Sequence, residues 1–145
     1  MKFLKELARS WEVFKGRSKG DKRRPPHVAY HVGDLDITIK FYTKCLEMKL
    51  LRKINIPKER CTNAFLGFGP EKTNFVVELA YNYGMDSYKL GTGFDHFCIA
   101  VEDVYEAVDL IKAKGGKVTR EPGPVKKKKK TVITFGKMPM GINSS

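Results

Sequence analysis

Apolar and polar positions along this chain alternate with two different periods. In six or seven short runs the period is two, as in a half-buried strand, and in two longer runs it follows a helix. The first strand-like run is His27-Val28-Ala29-Tyr30-His31-Val32. A helical stripe follows in Leu35, Thr38, Ile39, Tyr42 and Leu46. Residues 48–54, 62–68 and 74–80 then read as three strands. The same sequence of signals starts again at His96-Phe97-Cys98-Ile99-Ala100-Val101, followed by a second helical stripe in Val104, Ala107, Val108 and Ile111. At an offset of 69, His27 maps to His96, Val32 to Val101 and Asp34 to Asp103. Asp34 and Asp103 are expected as N-caps, since a carboxylate accepts from the unpaired amides of a first turn. Gly115-Gly116 is expected to end the second helix. Only two strands, 117–120 and 131–135, follow it. The reading is an α+β fold, β-α-β-β-β and then an incomplete copy.

Sidedness along the strands selects the candidate chemistry. Successive side chains on a strand point to opposite faces. His27, Ala29 and His31 therefore share a face opposite Val28, Tyr30 and Val32, and His96, Cys98 and Ala100 oppose Phe97, Ile99 and Val101. In both runs the histidine has small neighbours, which leaves space beside it. Glu78 lies in Phe75-Val76-Val77-Glu78-Leu79, away from Val77 and Leu79. A carboxylate in such a run is costly to bury unpaired, and a metal would supply the pairing. Imidazole and carboxylate donors suit first-row metals. If His27, Glu78 and His96 meet on one face, they form a metal site.

Composition narrows the alternatives. The 145 residues, 41% of them hydrophobic, suffice for one domain with a core. No apolar run approaches the roughly 20 residues of a membrane span. Cys45, Cys61 and Cys98 are too scattered for a disulfide framework, so a reducing, cytoplasmic setting is the default expectation. Cys98 is expected as a core thiol. The net charge of +12 is confined to a few places. Residues 1–24 hold nine Lys/Arg against three Asp/Glu, the run Lys126 to Lys130 adds five more, and residues 25–125 carry 13 of each sign. A nucleic-acid surface places its charge on a folded face among aromatics; here it lies in a terminal arm and an expected loop, and solvated charge is the reading. Residues 1–17 could form a short amphipathic helix, followed by a polar linker that Pro25-Pro26 closes. No GxSxG, P-loop or GxGxxG is present, and Gly67-Phe68-Gly69-Pro70 reads as a turn between strands.

Several stretches together resemble glyoxalase I, the lactoylglutathione lyase family of the vicinal-oxygen-chelate superfamily, over about residues 20–135. They are Val32-Gly33-Asp34-Leu35-Asp36 with Ile39-Lys40-Phe41-Tyr42, Met48-Lys49-Leu50-Leu51-Arg52, Asn63-Ala64-Phe65-Leu66-Gly67-Phe68-Gly69, Val77-Glu78-Leu79 with Tyr81-Asn82-Tyr83-Gly84, and Gly115-Gly116 through Arg120-Glu121-Pro122-Gly123-Pro124-Val125. The resemblance implies paired βαβββ modules, here module one at about 25–91 and an incomplete module two at about 92–145 after a basic extension and linker at 1–24. It implies a metal held by two His and two Glu, with His27, Glu78 and His96 on three of those positions and a nickel-type preference: nickel or cobalt favoured, zinc an alternative. It implies isomerisation of the hemithioacetal of methylglyoxal and glutathione to S-lactoylglutathione, by proton transfer from C1 to C2 through an ene-diolate with Glu78 as base. Asn82 falls on a position that contacts glutathione.

The chain departs from the family pattern at several places. His31 stands where the family carries an Arg that grips a glutathione carboxylate, and an imidazole does not reproduce a bidentate guanidinium. Asp95 replaces a glycine, and Lys127 to Lys130 occupy a loop usually rich in Gly. Counting from Pro139-Met140-Gly141 puts the expected second metal Glu at Ser145, so the fourth ligand and its strand are expected to be missing. Two other readings follow from that loss. One is a non-catalytic homologue that pairs with a second copy or with a complete relative. The other is a facial-triad Fe(II) dioxygenase using the remaining two His and one carboxylate.

Overall fold

The computed structural model describes residues 27–89, 91–93, 95–125 and 128–137. Strand β1 (His27–His31) leads into helix α1 (Leu35–Lys44), and strands β2 (Lys49–Ile56), β3 (Cys61–Gly67) and β4 (Val76–Asn82) follow. They form one four-stranded sheet in the order β1-β4-β3-β2. β1 runs parallel to β4, and the other two pairings are antiparallel. The pattern reading of the first copy is thus met, with strand ends shifted by one or two residues.

Among the described residues the sheet has a packed face and one that no helix or other strand covers, and the alternation of its strands decides which is which. Ala64, Leu66, Val77 and Leu79 point to the packed face, where α1 lays Leu35 and Tyr42 against them; Val32 and Met48 complete the cluster. Ala64, Leu66, Leu79 and Val32 have no exposed surface. Asp34 caps α1 by accepting from the Ile37 amide at 2.9 Å, and the buried Thr38 hydroxyl donates to the Asp34 carbonyl at 2.6 Å. Tyr42 and Tyr30 meet through their hydroxyls at 3.3 Å. Burial raises the pKa of both phenols, most strongly for Tyr42.

Helix α2 (Val104–Ala113) and the hairpin β5 (Lys117–Val125) and β6 (Lys128–Lys137) make up the second copy. Asp103 caps α2 through the amides of Tyr105 and Glu106, at 2.7 and 3.1 Å. The helix ends where Gly115 turns left-handed at φ +81°. Gly115 N–H then donates to the Lys112 carbonyl and Gly116 N–H to the Ile111 carbonyl, the paired bonds of a Schellman motif.

Three expectations are corrected here. The run 96–101 was expected as a strand, yet residues 95–101 join no ladder among the described residues. Its two-residue alternation survives, with Phe97 and Ile99 half-buried against the core of the first copy and His96, Cys98 and Ala100 exposed. Cys98 is therefore not a core thiol. The lysine run, expected as a loop, enters β6 at Lys128. The proposed helix at 1–17, the linker and Ser145 lie outside the described residues. Among the described residues no helix is long and apolar enough to cross a membrane.

Candidate metal and substrate site

The uncovered face of the sheet carries the candidate chemistry. Ala29 pairs with Glu78 and His31 with Ala80, so His27, Ala29 and His31 of β1 lie beside Glu78, Ala80 and Asn82 of β4. Ala29 and Ala80 leave room between the larger polar groups. His27 and Glu78 converge across this gap, with Nε2 and Oε2 3.2 Å apart. The Glu78 side chain is only 15% exposed, against 45% for His27, so the carboxylate sits at the floor and the imidazole at the rim. The other Glu78 oxygen, Oε1, accepts from Asn63 Nδ2 at 2.8 Å. The edge of the His27 ring meets Phe65, with centroids 6.3 Å apart.

A second polar cluster lies at the other end of the same two strands. Asn82 Nδ2 donates to the Tyr88 hydroxyl at 3.0 Å and lies 3.2 Å from His31 Nδ1. The rings of His31 and Tyr88 stack at 5.1 Å and 19°. Gly33 helps place this tyrosine. A side chain at Gly33 would collide with the Asp86 carbonyl, so only glycine lets the 83–89 segment lie against the end of β1.

His96 does not join the first pair. Its Nδ1 lies 3.0 Å from an Asp95 carboxylate oxygen and its ring edge meets Phe135 of β6, with centroids 6.0 Å apart. Among the described residues no three His, Cys, Asp or Glu groups gather as a metal cluster. Two of the three expected donors are together and one is elsewhere. The pair itself has metal-ligand spacing. Donors about 2.1 Å from a common ion stand about 3.0 Å apart at a right angle and about 3.4 Å apart at the tetrahedral angle, and the observed 3.2 Å falls between. One imidazole nitrogen and one carboxylate oxygen are also the donor chemistry of a first-row divalent ion. His27 and Glu78 fit such an ion as half of a site.

Several residues of this face were not singled out by the sequence pattern. Asn63 and Phe65 share it, because β3 pairs Asn63 with Ala80 and Phe65 with Glu78. Arg52 lies across from Phe65 on β2, its guanidinium carbon 3.5 Å above the ring and its Nε 2.7 Å from Glu71 Oε1. The available signal for Asn63 was an amide at a strand position between Thr62 and Ala64, on the same side as Cys61 and Phe65. Tyr88 carried no comparable signal, since its place depends on the turn after β4.

Comparison with known proteins shows the family of the chain. Residues 24–137 match the Glyoxalase/Bleomycin resistance protein/Dioxygenase superfamily. A probable lactoylglutathione lyase, chloroplastic, of Arabidopsis thaliana is 66% identical over 85% of this chain and 35% of its own length. A probable lactoylglutathione lyase of Synechocystis is 50% identical over 79% of this chain and 87% of its own length. The crystal structure of glyoxalase I from Zea mays superposes with a TM-score of 0.78 at 64% identity, covering 81% of this chain and 42% of that one. The chain thus spans less than half the length of the plant relatives it matches and most of the length of the bacterial one. By sequence and by fold, the chain belongs to the lactoylglutathione lyase family of the glyoxalase/bleomycin resistance protein/dioxygenase superfamily.

Proposed function

We propose that this chain forms the site of a lactoylglutathione lyase, which converts the methylglyoxal–glutathione hemithioacetal to S-lactoylglutathione. The convergence of His27 Nε2 and Glu78 Oε2 on the uncovered face, in a chain of this family, supports the reading. The reaction moves one proton from C1 to C2 and neither adds nor removes atoms. His27 and Glu78 would hold a divalent ion, with nickel or cobalt favoured and zinc an alternative, which would supply stabilisation of the negative charge that develops on substrate oxygen. Glu78 also serves as the base that takes the C1 proton. Asn82 and His31, bracketed by Tyr88, bind the glutathionyl part, and Ala29 and Ala80 leave the space between the two clusters.

His96 completes the donor set in this reading when a second-copy module docks on the uncovered face, either from a longer chain or from a second molecule. A homodimer is the simplest such arrangement. Light scattering behind size exclusion tests it, and a monomer that retains a three-donor metal site would exclude it. Cytoplasmic residence is the reading from the three free cysteines. The dioxygenase alternative has no observation of its own on this face.

The test is a metal and activity measurement on the same samples. Protein loaded with nickel, cobalt or zinc is assayed for thioester absorbance, and bound metal is counted by elemental analysis. His27→Ala is expected to lower metal content several-fold. Glu78→Gln keeps an oxygen donor but loses charge and basicity, so it is expected to harm turnover more than binding. Metal content unchanged by either His27→Ala or Glu78→Ala sinks the site assignment. A folded, metal-loaded protein without turnover sinks the catalytic one.

A further inference from the structure

We infer that Asn63 is the positioning residue that fixes how Glu78 presents its carboxylate. The inference rests on the reading of His27 and Glu78 as metal donors. The two Glu78 oxygens have separate partners: Oε1 accepts from Asn63 Nδ2 at 2.8 Å, and Oε2 faces His27 Nε2 at 3.2 Å. The amide cannot be turned the other way while Glu78 is ionised, because its carbonyl would then lie against a carboxylate oxygen. With one oxygen tied to Asn63, the other is left as a single, aimed donor at the place where the imidazole also points. Carboxylates that hold metals commonly need such an outer hydrogen bond to keep their orientation.

A second observation separates this role from ordinary packing. Asn63 Oδ1 is buried and has no hydrogen-bond partner among the described residues. A buried acceptor left unmade destabilises a fold. Asn63 also sits inside a strand, where Asn is a poor choice and Val a good one. A residue selected only to stabilise β3 would be apolar, like Ala64, Phe65 and Leu66, or a buried polar group with its hydrogen bonds made, like Thr62. The bond to the Glu78 carboxylate offsets that cost, so Asn63 is expected to contribute little net stability while favouring metal binding, and the two effects separate in the same variant.

The experiment uses the full chain as wild type, Asn63→Val, Asn63→Ala and Glu78→Ala. Cobalt(II) affinity is measured by competition with a chromophoric chelator, the cobalt visible spectrum is recorded, and the thermal midpoint is taken on metal-free protein. Asn63→Val is expected to weaken cobalt binding about tenfold and to shift the visible bands, while its metal-free midpoint stays close to that of wild type. Asn63→Ala is expected to weaken cobalt similarly, which keeps the test open if Val disturbs the strand. Cobalt affinity within twofold of wild type in both Asn63 variants, with Glu78→Ala losing the metal, overturns the inference and leaves the site assignment standing. A loss of affinity that merely follows a falling midpoint with an unchanged spectrum also overturns it. Undiminished binding in Glu78→Ala removes the site reading and this inference together.

Discussion

The two copies of the repeat begin from similar patterns and end differently. In the first, β1 joins a four-stranded sheet and α1 buries a continuous core beneath it. In the second, α2 buries Val108 and packs on a two-stranded hairpin, and the run that corresponds to β1 joins no ladder among the described residues. The sheet order explains the difference. β1 has one neighbour, β4, so a strand in that place exists only if its β4 does. Residues 96–101 keep the alternating side-chain pattern and anchor Phe97 against Tyr30 and Phe75. Among the described residues no strand pairs with their backbone. Side-chain pattern and backbone pairing are separable, and only the first is local.

Core truncation should expose the contrast most strongly. Leu66→Ala removes a side chain with no exposed surface and is expected to cost about 3 kcal/mol in urea unfolding. Val108→Ala, in the thinner core of the second copy, is expected to cost about 1.5 kcal/mol. Equal losses in a single transition would break the comparison and show one shared core. The caps should erase the contrast. Asp34→Ala and Asp103→Ala each remove an acceptor from a helix N-terminus, and each is expected to cost about 1 kcal/mol. Helix content by circular dichroism against temperature checks this. Markedly unequal values would mean that tertiary packing, rather than the cap, holds one helix end.

Alkaline pH should act on the first copy through Tyr30 and Tyr42. Unfolded tyrosines lose their protons near about pH 10, while burial holds both of these phenols protonated to higher pH in the fold. Above that point the folded chain binds more protons than the unfolded one, so stability falls as pH rises. The contribution is fully present below pH of about 10 and produces no change at neutral pH. Thermal midpoints followed from pH 8 to 12 should drop more steeply for wild type than for Tyr42→Phe. Parallel curves would show that the Tyr42 phenol titrates alike in both states.

Much of the first copy was legible along the chain. Period-two runs placed all four of its strands, and the helical stripe with Asp34 placed α1. The same alternation put His27 and His31 on one face of β1 and Glu78 opposite Val77 and Leu79, because a strand's sidedness is fixed by its own backbone. The family resemblance supplied the roles for these residues. The place of His96 was not legible: the structure holds it beside Asp95 and Phe135, apart from His27 and Glu78, and how distant strands meet is encoded by no local pattern.

The sequence by itself determined the helices, their caps, the Schellman stop at Gly115-Gly116 and which residues share each strand face. These depend on dihedral preferences and on hydrogen bonds between near neighbours. The tertiary structure alone decided that β1 lies parallel to β4, which brings Ala29 opposite Glu78 and so His27 to the carboxylate. It also decided that Asn63 reaches the second oxygen of Glu78 and that Tyr88 stacks on His31. Strand order and register are pairings between distant segments, and their energy comes from ladders and buried area that exist only once the chain has closed on itself.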